Sequence, residues 1–139
     1  MEETPIVIQS LAGLPAFLSY FCVSAVAVVL YLLIYTKITP YDEFELISKN
    51  NRATALALGL SLIGFALPVA SAVAHAANIV DCIIWSIIAL AVQVIAHYVA
   101  RIPVSNLVKK ISEGEMAAGL WLGLASLTAG LLSAASMTL

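Results

Sequence analysis

Ala53-Thr54-Ala55-Leu56-Ala57-Leu58-Gly59-Leu60 opens one apolar stretch of this chain, and Ala117-Ala118-Gly119-Leu120-Trp121-Leu122-Gly123-Leu124 opens another. Set against each other at an offset of 64 residues, they share Ala, three Leu and Gly in register. The same offset aligns Leu67 with Leu131 and Ala70 with Ala134, and upstream Ile47-Ser48 with Ile111-Ser112 and Lys37-Ile38 with Arg101-Ile102. Apolar stretches match easily by chance. Loop positions matching at the same offset add weight, so the sequence reads as a tandem duplication within one membrane domain spanning 1–139. Repeat one covers about 11–75 and repeat two about 76–139.

Of the 139 residues, 63% are hydrophobic and only 10% charged, and the mean hydropathy is +1.06. A soluble domain would carry about a quarter charged residues. Four segments, about 16–35, 53–74, 79–100 and 116–137, each approach the ~20 apolar residues that a hydrocarbon core needs. The expected fold is therefore an all-α integral membrane protein with four transmembrane helices, arranged as two parallel two-helix repeats in a lipid bilayer. Pro68 falls late in the second segment and kinks its last turns at most, freeing a carbonyl near Gly64 that a neighbour can satisfy. The start, Met1-Glu2-Glu3-Thr4, is acidic rather than basic, so the first segment is read as retained, not as a signal peptide. A net charge of -2 without basic clusters argues against nucleic acid. Cys22 and Cys82 fall in apolar segments and form no disulfide framework.

All six Lys and Arg fall in two loops: Lys37, Lys49 and Arg52 in the first, Arg101, Lys109 and Lys110 in the third. The positive-inside rule places both loops in the cytoplasm and both termini on the other side, the periplasm of a Gram-negative cell. The halves then share one orientation, related by a pseudo-two-fold axis along the membrane normal. Each charged loop reads as a short interfacial helix. In the first, Thr39 caps, Pro40 takes the first helical position, Asp42 completes the capping box and Asn50-Asn51 ends the helix. In the third, Pro103 and a capping Ser105 precede Leu107, Val108 and Ile111, and Gly114 terminates. These helices either seat the hairpins at headgroup level or present a docking surface built from Lys37, Glu43, Glu45 and Asn51 with Lys109, Lys110 and Glu113.

Small residues recur every four positions in the second and fourth segments: Ala57 and Ser61, Ala66 and Ala70, Gly119 and Gly123, Ala125 and Ala129, with Gly130 in a further row. Such rows let helices approach closely in lipid, so these two segments are expected at the centre. The bulkier first and third segments, with Tyr20, Phe21, Tyr31, Tyr35, Trp85 and Tyr98, are expected outside. Small rows on more than one face of the fourth segment point to a homo-oligomer. An alternative is an oligomeric channel or transporter whose axial pore is lined by Ser61, Ser71, Ser126 and Ser133.

Chemical motifs are sparse. No Lys, Arg, Asp or Glu falls at mid-segment, and no nucleophile with a base, P-loop, metal motif or cofactor motif is present. His75, Asn78 and Asp81 gather at the second turn, as a weak site or as a solvated turn with Asn78 capping the next helix. His97, one turn before Arg101, is read as a hydrogen-bonded interfacial histidine or as a group titrating near neutral pH. No enzyme is expected.

Tyr35-Thr36-Lys37-Ile38-Thr39-Pro40-Tyr41-Asp42-Glu43, followed by Leu46-Ile47, Asn50-Asn51, Ala53 and Ala55, resembles the YjfL-like family of small bacterial inner-membrane proteins, domain of unknown function 350. Ala117-Ala118-Gly119 and Ser133-Ala134-Ala135-Ser136-Met137-Thr138 resemble it too. Ser136 and Leu139 depart from the family's Cys and terminal Trp. The resemblance implies an inner-membrane protein of repeated two-helix units. It also implies an association with membrane-remodelling or envelope-stress proteins, but no activity.

Overall fold

The computed structural model describes residues 3–138, with side chains described for residues 5–138; the acidic Met1-Glu2 and Leu139 lie outside the described residues. The described residues form seven helices: α1 (Glu3–Leu11), α2 (Leu14–Ile38), α3 (Glu43–Ser48), α4 (Arg52–His75), α5 (Ile79–Arg101), α6 (Leu107–Ser112) and α7 (Met116–Ser136). Four spans, Pro5–Ile38, Arg52–His75, Ile79–Arg101 and Met116–Ser136, are long and apolar enough to cross a membrane. α1 is an addition to the sequence reading. Its Ile6, Val7, Ile8 and Leu11 are all exposed, and Phe17 N–H bonding to the Gly13 carbonyl at 3.0 Å continues it almost directly into α2.

Local chemistry sets the boundaries. Pro40 forces Thr39 into extended backbone, ending α2. The cap of α3 is therefore Asp42, not the expected Thr39: its Oδ1 accepts from the N–H of Phe44 and Glu45 at 3.2 and 3.3 Å. Asn50 then adopts a left-handed φ of 65°, and Asn51 Oδ1 accepts from Thr54 N–H at 3.0 Å to start α4. In the third loop, Asn106 rather than Ser105 precedes α6, without a side-chain cap. Gly114, at φ 85°, ends that turn. Asn78 caps α5 through Asp81 N–H at 2.9 Å.

α4 and α7 run in the same direction and form the closest contact in the molecule. A Cβ on Gly119 would collide with the backbone of Ala53, and one on Gly130 with the backbone of Gly64. A Cβ on Gly64 would come within 2.5 Å of the Ser126 carbonyl, and one on Gly123 within 2.8 Å of Leu60. Only glycine permits such approaches. Pro68 sits inside α4 and supplies no N–H to the Gly64 carbonyl, the group that α7 covers at Gly130. Farther along, Ser71 Oγ donates to the Ala134 carbonyl at 3.0 Å.

Around the bundle the order is α2, α4, α7, α5, with α4 and α5 also touching across the middle. A two-fold axis would press α2 on α7 as firmly as α5 on α4. The contact between α2 and α7 is grazing at most, so the expected two-fold arrangement is corrected: the hairpins stand side by side. Nor are α2 and α5 merely outer helices. Tyr31 and Tyr35, expected to face lipid or a neighbouring subunit, are each 1% exposed.

Candidate functional site: a polar core beneath the loops

The buried face of α5 carries Cys82, Ser86, Ala89, Gln93, His97 and Ala100, while Ile84, Ile87, Ile95 and Val99 face outward. Polar side chains thus point inward from a helix whose outside is apolar, the inverse of a soluble helix. Gln93, His97 and Arg101 follow at four-residue spacing, one face of the helix. Gln93 lies about 12 Å along the axis from Arg101, near the middle of α5.

Gln93 is fully buried. Its Nε2 donates to the Ser126 carbonyl at 2.7 Å, and a Cβ on Gly64 would approach that nitrogen to 3.0 Å. The side chain therefore reaches the α4–α7 contact because α4 has glycine there. His97 is also fully buried. Its ring stands edge-on to Tyr35 at 5.1 Å and to Tyr98 at 5.7 Å. Tyr31 stacks on Phe65 at 4.8 Å, and Ser61 of α4 stands beside both the Tyr31 and Tyr35 phenols.

At the loop end, Glu43 is 1% exposed. The Thr39 hydroxyl meets both the Glu43 carboxyl and the Tyr35 carbonyl. A hydroxyl has one proton to give. A protonated Glu43 can donate to Thr39 and leave the Thr39 proton for the Tyr35 carbonyl. Burial also raises the Glu43 carboxyl above the usual carboxylate range, opposed by the Thr39 hydrogen bond. Burial raises the Tyr41 phenol likewise, and the nearby Glu43 adds to it. Arg101 Nη2 donates to the Ile38 carbonyl at 2.9 Å, and its guanidinium lies 5.0 Å from the centre of the Tyr98 ring.

Among the described residues, eleven buried side-chain atoms have no partner in hydrogen-bond geometry: the hydroxyls of Tyr31, Tyr35, Tyr41, Ser61, Ser86 and Ser126, Glu43 Oε2, Gln93 Oε1, both His97 ring nitrogens and Arg101 Nε, although Ser61 stands close enough to the Tyr31 and Tyr35 phenols to pair with either on a small shift. Each such group costs about 1–3 kcal/mol when nothing satisfies it, and native proteins hold few of them. Beyond Gln93 the buried face of α5 offers only Ala89 before Ser86.

The residues singled out in the sequence fall into several places. Ala57, Gly119, Gly123 and Gly130 are buried between α4 and α7, Ala125 and Ala129 are half-buried, and Ala66 and Ala70 are exposed. Ser61 and Ser126 are fully buried inside the chain, so they cannot line a pore at an oligomer axis; Ser71 bonds to α7 and Ser133 is half-buried. Of the docking residues, Lys37, Glu45, Lys109 and Glu113 are exposed and Lys110 is half-buried. Glu43 and Asn51 are corrected as docking groups. Burial withdraws the first, and the second donates through Nδ2 to the Ile111 and Ser112 carbonyls at 3.3 and 3.0 Å, tying the loops together. His97 is not hydrogen-bonded as expected. Cys82 is buried and Cys22 exposed. His75 and Asp81 are used locally, bonding to the Ser71 carbonyl and to Ala77 N–H; among the described residues no metal-holding group forms. The inward tyrosines were missed, although Tyr31 and Tyr35 share the four-residue spacing of Gln93 and His97.

Four spanning-length helices enclosing polar side chains define an α-helical integral membrane protein. Residues 9–137 match the family described as Domain of Unknown Function (DUF350), and the chain belongs to it. It is 39% identical over 128 residues to the UPF0719 inner membrane protein YjfL of Escherichia coli (strain K12), covering 92% of this chain and 97% of the relative. The YjfL protein of Escherichia coli O157:H7 gives the same figures. The UPF0719 transmembrane protein YshE of Bacillus subtilis (strain 168) is 25% identical over 81 residues, covering 58% of this chain and 60% of that relative. No solved structure matches. The family description assigns no activity, and nothing in these likenesses indicates catalysis.

Proposed function

We propose that the protein is a small membrane channel or transporter, without enzymatic activity, whose path runs inside each chain rather than along an oligomer axis. One observation carries this reading: ten buried polar side-chain atoms without a partner in hydrogen-bond geometry gather between the loops and the middle of α5, with Ser86 Oγ farther along the same face. Left unsatisfied, they would cost as much as the ~5–15 kcal/mol net stability of a typical protein. Water or a small polar species that enters the core offsets that cost. On the positive-inside rule the loop end of this core faces the cytoplasm, with both termini periplasmic.

The test is flux through liposomes containing the purified protein, with water, small polar solutes, protons and monovalent ions each followed. Flux above protein-free vesicles, reduced in Gln93→Leu, supports the reading. Vesicles as tight as protein-free ones to all four overturn it.

A second reading makes the protein a homo-oligomeric envelope-maintenance component that presents its loops to a cytoplasmic partner. The exposed Lys37, Glu45, Lys109 and Glu113 favour it, as do the uncovered Ala66 and Ala70 on α4. Its interface would be that outward face of α4, because Gly123 is already occupied by Leu60. Ala66→Leu should then lower the mass of the detergent-extracted assembly without unfolding the chain. An unchanged mass refutes that interface.

A further inference from the structure

We infer that a second copy of this chain docks head to tail. The outer faces of α2 and α4 of one copy seat on the outer faces of α5 and α7 of the next, continuing the interface that joins the two hairpins inside the chain. The inference rests on the homo-oligomer reading above and on the 64-residue repeat, and it names the surface that α4 meets.

Inside the chain, Gly119 meets Ala53, Gly123 meets Leu60, Gly130 meets Gly64, and Ser71 bonds to Ala134. The repeat translates each of these pairs. Moving 64 residues forward from α4 and 64 back from α7 gives Ala117 with Ala55, Leu124 with Gly59, Thr128 with Ala66 and Ala135 with Ala70. Seven of these eight residues are exposed, and a Cβ on the eighth, Gly59, would meet nothing within 4 Å. At about 100° per residue, each outward set falls on the side of its helix roughly opposite the inward set. No such pair can therefore form within one chain, and each fits a contact between two.

The other two helices repeat the match. The buried face of α5 includes Cys82, Ser86, Ala89, Gln93 and His97. The residues 64 positions earlier, Leu18, Cys22, Ala25, Val29 and Leu33 of α2, are all exposed. Conversely, the buried Tyr31 and Tyr35 of α2 correspond to the exposed Ile95 and Val99 of α5. α5 packs against both α2 and α4. The equivalent angle between α5 and α7 is open. A cavity of about 770 Å³ lined by Val99, Leu124 and Thr128 continues past Ala129 and Leu132 into one of about 460 Å³ that reaches Met137. The helix that corresponds to α5 is α2, so α2 of a second copy is the occupant this furrow fits. Exposed apolar residues need no cover in lipid, and exposure alone decides nothing. The occupant is selected because the open faces stand at the repeat positions of the faces that already pack. Ala66 and Thr128 carry side chains where Gly130 and Gly64 have none, so the outer contact is wider than the inner one. A contact between unlike faces adds copies in a row or closes them into a ring.

The experiment is disulfide trapping of the full-length protein in its membrane, read on a non-reducing gel. Cys22→Ser removes the exposed thiol and leaves Cys82 buried. Thr128→Cys and Ala66→Cys are then added, each at an exposed position. Co-expressed under different tags, the two single variants should give a mixed dimer that neither gives alone. The double variant should give a ladder of larger species. Leu124→Cys with Gly59→Cys repeats the test at the neighbouring pair, should the first pair miss disulfide geometry. A dimer from Ala66→Cys alone means that α4 meets α4; it overturns the inference and leaves the homo-oligomer reading standing. No mixed dimer at either pair, from protein whose extracted mass exceeds one chain, does the same. No mixed dimer together with the mass of a single chain overturns both.

Discussion

α4 and α7 carry small residues at the same spacing and turn opposite faces inward. In α7, Gly119, Gly123 and Gly130 press into α4. The positions 64 residues earlier, Ala55, Gly59 and Ala66, look outward: Ala55 and Ala66 are exposed, and a Cβ on Gly59 would meet nothing within 4 Å. α4 meets α7 instead through Ala53, Leu60 and Gly64. A row of small residues marks where a helix can be approached closely. It does not say what approaches, and in α7 the row is used within the chain.

The contrast can be broken at several points. Gly130→Ala should have the largest effect, because the added carbon meets the Gly64 backbone, which cannot swing aside. A loss of about 3 kcal/mol is expected in detergent unfolding. If Ala66→Gly at the matching position costs as much, the opposite-face assignment fails. Asn51→Ala comes next, at about 1–2 kcal/mol, since it removes the α4 cap and both bonds to the third loop. Glu115, its counterpart before α7, makes no side-chain cap, so Glu115→Ala should barely shift the unfolding midpoint. Equal shifts would erase the difference between the loops.

Glu43→Gln sharpens the comparison through pH. The folded state holds the Glu43 proton more tightly than the unfolded state, whose carboxyl titrates near 4.5. Stability is therefore greatest below that value and falls as pH rises through the raised folded value. Glu43→Gln should flatten that decline in melting temperature measured against pH; an unaltered slope would show that the carboxyl is not buried as described. Gly59→Ala should have the smallest effect, neutral or stabilising by up to about 1 kcal/mol. Marked destabilisation would show that something covers the outer face of α4.

The spans were legible because length and apolarity are properties of a segment alone; α2, α4, α5 and α7 each begin within two residues of the expected positions. α1 was not, since the first segment was expected to begin only near residue 16, whereas Gly13 stays close to helical backbone and lets the helix start earlier. Facing was legible for α4 and α7, where small residues restrict the choice. It was not for α2, where tyrosines suit lipid interfaces and interiors alike. Glu43 looked like a surface charge because neighbouring Asp42 and Glu45 are. Its carboxyl is turned inward against the Thr39 hydroxyl, which also bonds the Tyr35 carbonyl, an arrangement that no local charge pattern carries. The inward polar face of α5 was readable in principle, from Ser86, Gln93 and His97 on one side of an otherwise apolar helix.

Pro68 leaves α4 one rung short in its own ladder at Gly64, and α7 lays its backbone against that rung at Gly130. A helix bends most readily where a rung is missing. The bundle is thus clamped at its most pliant level, and any tilt of one end of α4 against the other must first loosen α7's grip there.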